Sequence, residues 1–211
     1  TVNPMVPGVY VLTYDVNDAS GNAAEQVTRT VTVVDSTKPV ITLHGDANVT
    51  HEAATAYLDA GATWTDTLDG NGALVAAGTV DVNVPGVYVL TYDFTDAAGN
   101  AAVSVTRIVS VADTTKPVIS LAGDANVTHE AATAYLDGGA TWTDTLEGNG
   151  TVDGNGTVNV NAPGAYLLSY DVNDASGNAA EQVTRMVTVV DSTKPVITLN
   201  GDANVTHEAA T

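Results

Sequence analysis

The sequence repeats itself with a period of 78 residues. The string TKPV recurs at Thr37, Thr115 and Thr193, which are 78 residues apart each time. Residues 35–112 and 113–190 align without a gap, and about 55 of the 78 paired positions are identical. A fixed period of this length is typical of tandem domains, so neighbouring repeats should share one fold.

The two flanks continue the same pattern. Residues 1–34 match the last part of a repeat, and residues 191–211 match its first part. We therefore predict four segments: a C-terminal part at 1–34, complete repeats at 35–112 and 113–190, and an N-terminal part at 191–211. If the two partial segments of neighbouring molecules docked, they would still lack the counterpart of residues 56–78. This favours a window from a longer array over a self-completing fibre subunit.

Short alternating segments separated by turn signals fill each repeat. Val, Thr, Ala and Gly are abundant, whereas the chain has one Phe and two Met, which is a composition typical of β-sheets. The alternation predicts strands at 39–43, 48–53, 62–66, 79–84, 87–95 and 103–111. Because no segment has the pattern of a crossover helix, we expect an antiparallel Greek-key sandwich in each repeat.

The last hairpin of the repeat has the clearest pattern. By the two-residue period of a strand, its inward residues are Tyr88, Leu90, Tyr92 and Phe94, followed by Val105, Val109 and Val111. Gly86, Tyr88 and Leu90 resemble the G-x-Y-x-C stretch of immunoglobulin domains, in which the tyrosine hydroxyl caps the corner before the strand. In this chain Leu90 replaces the cysteine. We expect Trp64 to pack across the core near Leu90, and Trp142 to repeat that contact.

Three longer strings carry a resemblance that covers essentially the whole chain. They are DTTKPVISLAGDANVTHEA, AYLDGGATWTDTLEGNG and PGAYLLSYDVNDASGNAA. They resemble the immunoglobulin-like tandem repeats of bacterial surface proteins, which are close in pattern to hyalin-type repeats. The resemblance implies an all-β chain of tandem immunoglobulin-like Greek-key β-sandwiches of about 78 residues each, on an exported protein located outside the cell or at its surface.

Charge and cysteine content exclude several classes of function. The chain has 25 acidic and 6 basic residues, a formal net charge of −19 and no cysteine. Such a field repels phosphate backbones and anionic lipids, so we expect neither nucleic-acid binding nor membrane insertion. Without disulfides, the fold must be held together by packing or by hard cations. No apolar segment approaches the length of a membrane span.

Aspartates at the start of each repeat are the candidate metal ligands. Asp35, Asp113 and Asp191 each precede the first strand of a repeat. They could meet Asp96, which follows the strand predicted at 87–95, or its counterpart Asp174 in the second repeat. Carboxylate oxygens are the ligands that calcium prefers. Calcium at the domain junctions, with no other cofactor, is therefore one interpretation of these aspartates. The pattern favours the other, an Asx turn in which the aspartate bonds only its own backbone.

Two further patterns are weaker candidates. Asp66, Asp69 and Asn71, with their copies Asp144, Glu147 and Asn149, depart from the spacing of an EF-hand loop, which favours a solvated loop. His51 and Glu52 begin a string like the zinc-protease motif H-E-x-x-H, but Thr55 stands where the second histidine belongs.

These observations predict a structural or adhesive spacer segment of a large extracellular surface protein or filament, and no enzyme. Its partners would be neighbouring repeats of the same chain or fibre, including by self-association. The linker at 112–116 is too short for free swivelling. The alternative is a carbohydrate- or protein-binding accessory module, which would need exposed aromatic residues or a polar groove. Burial of Trp64 and Trp142 would count against it.

Overall fold

The computed structural model describes residues 1–210 and confirms the all-β fold class, since regular structure there consists of strands. In chain order the strands are β1 (Gly8–Tyr14), β2 (Val27–Val33), β3 (Val40–Leu43), β4 (Asn48–Glu52), β5 (Ala62–Asp66), β6 (Gly70–Leu74), β7 (Gly86–Tyr92), β8 (Val105–Ala112), β9 (Val118–Leu121), β10 (Asn126–Glu130), β11 (Ala140–Asp144), β12 (Gly148–Val152), β13 (Gly164–Tyr170) and β14 (Val183–Val190). The chain divides into two compact units in the linker that follows β8. Residues 1–210 contain no helix of the length and apolarity that a membrane span requires.

Each complete repeat is a sandwich of two three-stranded sheets. In the first unit the strand orders are β3–β5–β6 and β4–β8–β7, and in the second they are β9–β11–β12 and β10–β14–β13. The first unit also contains the two-stranded hairpin β1–β2. The last hairpin of the repeat forms as predicted, with Tyr88 opposite Val109 and Leu90 opposite Arg107.

One strand pair departs from the predicted antiparallel arrangement. β4 runs parallel to β8, with Asn48 opposite Ile108 and Glu52 opposite Ala112, and β10 runs parallel to β14 in the same register. A tight turn forces antiparallel pairing only between consecutive strands. Since three strands separate β4 from β8 in the chain, their relative direction was not fixed by any hairpin.

The strand predicted at 79–84 was wrong, and β6 forms instead at Gly70–Leu74. Asp81 makes a turn in the predicted segment, because its carboxylate accepts a hydrogen bond from the Asn83 N–H at 3.0 Å. β6 is rich in glycine, but it pairs with β5, and the Trp64 indole lies against Gly72 so closely that a Cβ there would be 2.7 Å from Nε1. Cross-strand packing thus overrides a poor strand propensity.

The core lies between the two sheets of each repeat. Leu90, Tyr92, Val109 and Val111 are buried as the alternation predicted, and Phe94 is half-buried. Trp64 is half-buried and stacks on Phe94 with the ring centroids 3.9 Å apart. Trp142 packs against the core cluster that contains Leu168, the counterpart of Leu90.

The tyrosine corner implied by the immunoglobulin-like motif is confirmed. The Tyr88 hydroxyl donates a hydrogen bond to the Val84 carbonyl at 2.7 Å. The same bond forms from Tyr166 to Ala162 at 2.8 Å, and from Tyr10 to Val6 at 2.8 Å. All three hairpins therefore have the same entry turn.

A buried arginine that the strand pattern did not predict crosses the core of each repeat. Arg107 is 1% exposed. Its guanidinium pairs with the Asp59 carboxylate, and Nε donates to the Asp46 carbonyl at 2.9 Å while Nη1 donates to the Tyr92 hydroxyl at 3.1 Å. In the second repeat Arg185 pairs with Asp137 and donates through Nε to the Asp124 carbonyl at 3.0 Å, and its guanidinium lies 5.6 Å from the centroid of the Tyr170 ring. The sequence does contain a signal for this arginine, because position 107 falls on the same face of the strand as Val105 and Val109.

Ionisation in this network follows from its contacts. Burial and the hydrogen bond to Asp59 raise the pKa of Tyr92 to about 12. Burial also raises the pKa of Asp59, but the hydrogen bonds from Tyr92 and Arg107 outweigh it, so the net pKa is lowered. The aspartate is thus held in its charged form beside the arginine.

Candidate metal centre

The turn that begins the repeat orients Asp35. Its Oδ1 accepts a hydrogen bond from the Thr37 N–H at 3.0 Å, which is the Asx turn considered as an alternative from the sequence. Its other oxygen, Oδ2, is buried and has no hydrogen-bond partner among the described residues. The turn therefore uses one carboxylate oxygen and leaves the second one buried and free of hydrogen bonds.

Asp96 lies in the loop that joins β7 to β8. Its side chain is buried and accepts hydrogen bonds from the Asn100 N–H at 2.7 Å and from the Asn100 amide at 2.8 Å. Burial raises the pKa of Asp96, but the hydrogen bonds from Asn100 more than offset this and the net pKa is lowered. The same Asn100 amide donates to the Asp35 backbone carbonyl at 3.3 Å, so the loop contacts the start of the repeat.

The second acidic cluster of the sequence reaches the same loop. Asp66, at the end of β5, accepts hydrogen bonds through Oδ1 from the N–H groups of Leu68 at 2.7 Å and Asp69 at 3.0 Å. Its Oδ2 is buried without a hydrogen-bond partner among residues 1–210. Asp69 Oδ2 accepts a hydrogen bond from the Ala97 N–H at 2.8 Å, next to Asp96. Sequence spacing treated these aspartates as a separate solvated loop, and pairing of β5 with β6 brings Asp69 to this loop.

The arrangement fits the chemistry of a hard cation. Asp35, Asp66, Asp69 and Asp96 lie on turns near the loop between β7 and β8, and the Oδ2 atoms of Asp35 and Asp66 are buried without hydrogen-bond donors among residues 1–210. A buried carboxylate oxygen with no donor is costly unless a cation or water compensates it. Calcium takes six to eight oxygen ligands in flexible geometry, so these residues are the ones that would hold it.

The second repeat has the corresponding residues. Asp144 Oδ1 accepts from the Leu146 N–H at 2.8 Å, and Asp174 Oδ1 accepts from the Asn178 N–H at 2.7 Å. Asp113, in the linker that begins this repeat, offers a carboxylate oxygen that lies within 4.8 Å of oxygens of Glu147 and Asp174.

Asp191 has a different environment. Its Oδ1 accepts from the Thr193 N–H at 3.2 Å, so the Asx turn forms here as well. The neighbouring Ser192 and Thr193 donate to the carboxylate of Glu130, at the end of β10, with the Ser192 hydroxyl at 2.6 Å and the Thr193 hydroxyl at 2.9 Å. The hydrogen bonds from Ser192 lower the pKa of Glu130. Glu130 is the counterpart of Glu52, which was considered only as part of the failed zinc motif, so this role was missed.

The histidine of that motif has a local role. His51 Nε2 lies 3.1 Å from the Thr55 carbonyl oxygen, and its ring meets Tyr57 edge-on with the centroids 5.1 Å apart. His129 repeats these contacts with Thr133 and Tyr135. The histidine thus packs against its own turn, as expected for a strand residue.

Comparison with known proteins identifies relatives of the repeat. The chain is 28% identical over 203 residues to hyalin from Strongylocentrotus purpuratus, covering 88% of this chain and 17% of that hyalin. It is 30% identical over 225 aligned positions to hyalin from Lytechinus variegatus, covering 97% of this chain and 41% of that hyalin. The chain therefore spans less than half the length of the curated relatives it matches.

Solved structures that are similar to this chain have low sequence identity to it. The lipoprotein BT2262 from Bacteroides thetaiotaomicron is 19% identical with a TM-score of 0.32, over 62% of this chain and 60% of the lipoprotein. A structure from a 1.5-MDa bacterial ice-binding adhesin is 16% identical with a TM-score of 0.27, over 87% of this chain and 74% of that structure.

A family model decides the classification. The model of the bacterial surface protein Ig-like domain matches twice, at residues 41–111 and 119–189. These two matches fall on the two sandwiches, from β3 to β8 and from β9 to β14. The chain therefore belongs to the family of bacterial surface protein Ig-like domains, in tandem copies, as its sequence resemblance implied.

Proposed function

We propose that the chain is a non-catalytic spacer segment of an extracellular surface protein, in which calcium binds at the start of each repeat. The observation that supports a spacer is that each complete repeat closes its own core with the same residues. Leu90 and Arg107 in the first repeat correspond to Leu168 and Arg185 in the second, and all four are buried. Stability of such an array is approximately the sum of repeat and junction contributions.

The calcium part of the proposal rests on the first repeat. The Oδ2 atoms of Asp35 and Asp66 are buried without hydrogen-bond donors among residues 1–210, and hydrogen bonds connect Asp35 and Asp69 to residues 97–100 beside Asp96. A cavity of about 360 Å³ adjoins this site, and its lining includes Met5, Val6, Pro7, Asp35, Asp69 and Ala97. Calcium bound here would tie the start of the repeat to the loop that precedes β8 and to the segment before β1.

Under the proposed domain boundaries, every repeat begins with an aspartate that would take part in holding an ion. Asp35 and Asp113 begin the complete repeats 35–112 and 113–190, and Asp191 begins the partial one at 191–211. Thr211 lies outside the described residues. Each linker would then be stiffened by its own ion, because a cation that binds only the folded junction stabilises it by mass action.

A carbohydrate-binding role has less support in the structure. The Trp64 ring is covered by Phe94 on one side and lies against Gly72, so it offers no open stacking platform. A groove of about 460 Å³ runs beside Tyr57, Asp59 and Val80. Its carboxylate, Asp59, is already held by Arg107 and Tyr92, which leaves little capacity to bind a sugar hydroxyl.

Calorimetric titration of the EDTA-treated chain with calcium chloride tests the metal site. We expect binding, and a higher melting temperature with calcium than with EDTA. The double variant Asp35→Asn, Asp66→Asn should lose binding at the first repeat, because two of the four carboxylates become neutral. Asp46→Asn is the control, since it removes a negative charge that is exposed and lies outside the site.

The result that would contradict calcium binding is an unchanged melting curve and no heat of binding for the native chain. The spacer role is tested separately on a glycan array. Several strong hits there would favour the accessory-module alternative, whereas absence of binding together with calcium-dependent stiffening in solution scattering would support the spacer.

A further inference from the structure

Three asparagine–glycine pairs lie in the complete repeats. They are Asn71–Gly72, Asn149–Gly150 and Asn155–Gly156. In such a pair the backbone nitrogen of the glycine can attack the side-chain carbonyl carbon of the asparagine, because glycine has no Cβ to hinder the approach. All three asparagines are exposed. The hydrogen bonding of each glycine N–H therefore decides which pair can react.

The pair Asn71–Gly72 is held in the ladder between β5 and β6. On the other side of β5, the His44 N–H donates to the Gly61 carbonyl at 3.0 Å. Backbone groups of an antiparallel strand point alternately to its two neighbours, so those of Trp64, three residues after Gly61, point to β6. Gly72 lies opposite Trp64, and the two residues therefore exchange backbone hydrogen bonds. The Gly72 N–H is thus occupied.

The pair Asn149–Gly150 is held in the same way in the second repeat. Gly150 lies opposite Trp142 in β11, and the Ala122 N–H donates to the Gly139 carbonyl at 3.0 Å. The Trp142 indole also covers Gly150, since a Cβ there would be 2.7 Å from Nε1. Before the Gly150 nitrogen can attack, β12 has to separate from β11.

The pair Asn155–Gly156 lies in the loop that joins β12 to β13. Asn155 forms a single bridge with Ser169, in which each N–H donates to the other carbonyl, at 2.7 and 2.9 Å. The Gly156 N–H donates no hydrogen bond among residues 1–210, and Gly156 is exposed. The counterpart of Asn155 in the first repeat is Ala77, which makes the same bridge with Thr91. Of the two complete repeats, the second alone has an asparagine at this position.

We propose that Asn155 deamidates spontaneously, whereas the fold protects Asn71 and Asn149. The Gly156 nitrogen loses its proton to solvent base and bonds to Cγ of Asn155, and the side-chain amide nitrogen leaves as ammonia. Water then opens the resulting cyclic imide at either of its two carbonyl carbons. The products are aspartate and isoaspartate at position 155, and both carry a negative charge that the native side chain lacks.

Isoaspartate should weaken the second repeat at this position. Its main chain passes through Cβ and is one atom longer, so the two hydrogen bonds of the bridge with Ser169 cannot both keep their places. Gly156 lies against β13, since a Cβ on it would be 2.6 Å from the Leu167 carbonyl oxygen and 3.1 Å from Leu168 Cδ2. Leu168 is buried in the core. Deamidation should therefore loosen the core of the second repeat as the chain ages.

The two asparagines of the second repeat provide a matched comparison, because both stand in the tetrapeptide Gly-Asn-Gly-Thr. The test chain carries Asn200→His, the residue of the first repeat, which removes the one further asparagine–glycine pair of the sequence. It is incubated with EDTA at mildly alkaline pH, and mass-spectrometric peptide mapping follows each asparagine. We expect deamidation at Asn155 to be at least about tenfold faster than at Asn149 or Asn71. In urea, where the ladders are lost, Asn149 and Asn155 should react at nearly equal rates.

Ageing a chain that also carries Asn155→Ala supplies a second test. Alanine is the residue of the first repeat at this position, so the variant should fold. The melting temperature of the test chain should fall during incubation, and that of the Asn155→Ala chain should stay constant. The proposal is overturned if Asn149 reacts as fast as Asn155 in the folded chain, if the difference persists in urea, or if both chains lose stability equally.

Discussion

The hairpins β1–β2 and β7–β8 have nearly the same sequence and differ in what surrounds them. Their strands pair in the same register, with Tyr10 opposite Val31 and Tyr88 opposite Val109. In the complete repeat the inner face of the hairpin is buried, whereas in the partial one Tyr14 and Arg29 remain exposed. The sequence of the hairpin therefore determines strand pairing, and the first half of the repeat determines burial.

The largest difference in stability loss between equivalent substitutions in the two hairpins should appear at the buried arginine, Arg107. Arg107→Ala removes the partner of Asp59 and leaves two backbone carbonyls without a donor, which should cost about 3–5 kcal/mol of unfolding free energy. Arg29→Ala should change stability by less than about 0.5 kcal/mol. Urea denaturation with hydrogen exchange measured over β7 and β8 checks this. Equal effects of the two variants would mean that the ion pair contributes little.

Truncation of the core leucine to alanine should give the next largest difference in stability loss between the two hairpins. Leu90 is buried and Leu12 is half-buried. Leu90→Ala should destabilise the first unit by about 2–5 kcal/mol through lost burial and a new cavity. Leu12→Ala should cost well under half as much. The same denaturation experiment distinguishes the two, and a large effect of Leu12→Ala would show that the partial hairpin has a covered face in solution.

The tyrosine corner should contribute about equally to the stability of the two hairpins. Both Tyr88 and Tyr10 donate to a carbonyl four residues earlier, so the bond does not depend on contacts with the first half of a repeat. Tyr88→Phe and Tyr10→Phe should each weaken their own turn by about 1 kcal/mol. Amide exchange rates at residues 84–88 and 6–10 measure the two effects. A response at only one corner would contradict this equivalence.

The smallest expected effect is the pH dependence of the arginine network. The pKa of Asp59 is lowered in the folded state, so its stabilisation is fully present above the ordinary value of 3.8 and is lost as the pH falls through the lowered pKa. The pKa of Tyr92 is raised to about 12, so its contribution is present below 10.0 and is lost as the pH rises through about 12. Absorbance titration and stability curves of native and Asp59→Asn chains test both. If the stability of the Asp59→Asn chain falls at low pH in the same way as that of the native chain, this aspartate is not the cause of the acid destabilisation.

Much of the fold could be predicted from periodicity, and the failures have physical causes. β7 and β8 were located because large residues such as Tyr88, Leu90 and Tyr92 recur at the two-residue period between turn signals. β6 was missed because Gly70 and Gly72 have weak strand propensity, and its pairing depends on Trp64 and β5. The parallel direction of β4 was missed because local sequence carries no information on the direction of distant strands.

The candidate site was predicted only in part for a similar reason. Asp35 and Asp96 were identified because they stand beside a linker and a turn, which are local signals. Asp66 and Asp69 were assigned to another cluster, since only the pairing of β5 with β6 brings Asp69 to the loop of Asp96. Glu130 was missed because its partners, Ser192 and Thr193, are more than sixty residues away in the chain.

The parallel pair β4–β8 has a mechanical consequence for a protein exposed to tension. It connects a strand near the start of the repeat with the strand at its end, through five paired residues. Force applied along the chain at the two ends of this pair would shear the strands past each other, so that its hydrogen bonds are loaded together instead of breaking one after another. A repeat built in this way should resist extension until the ladder yields as a whole.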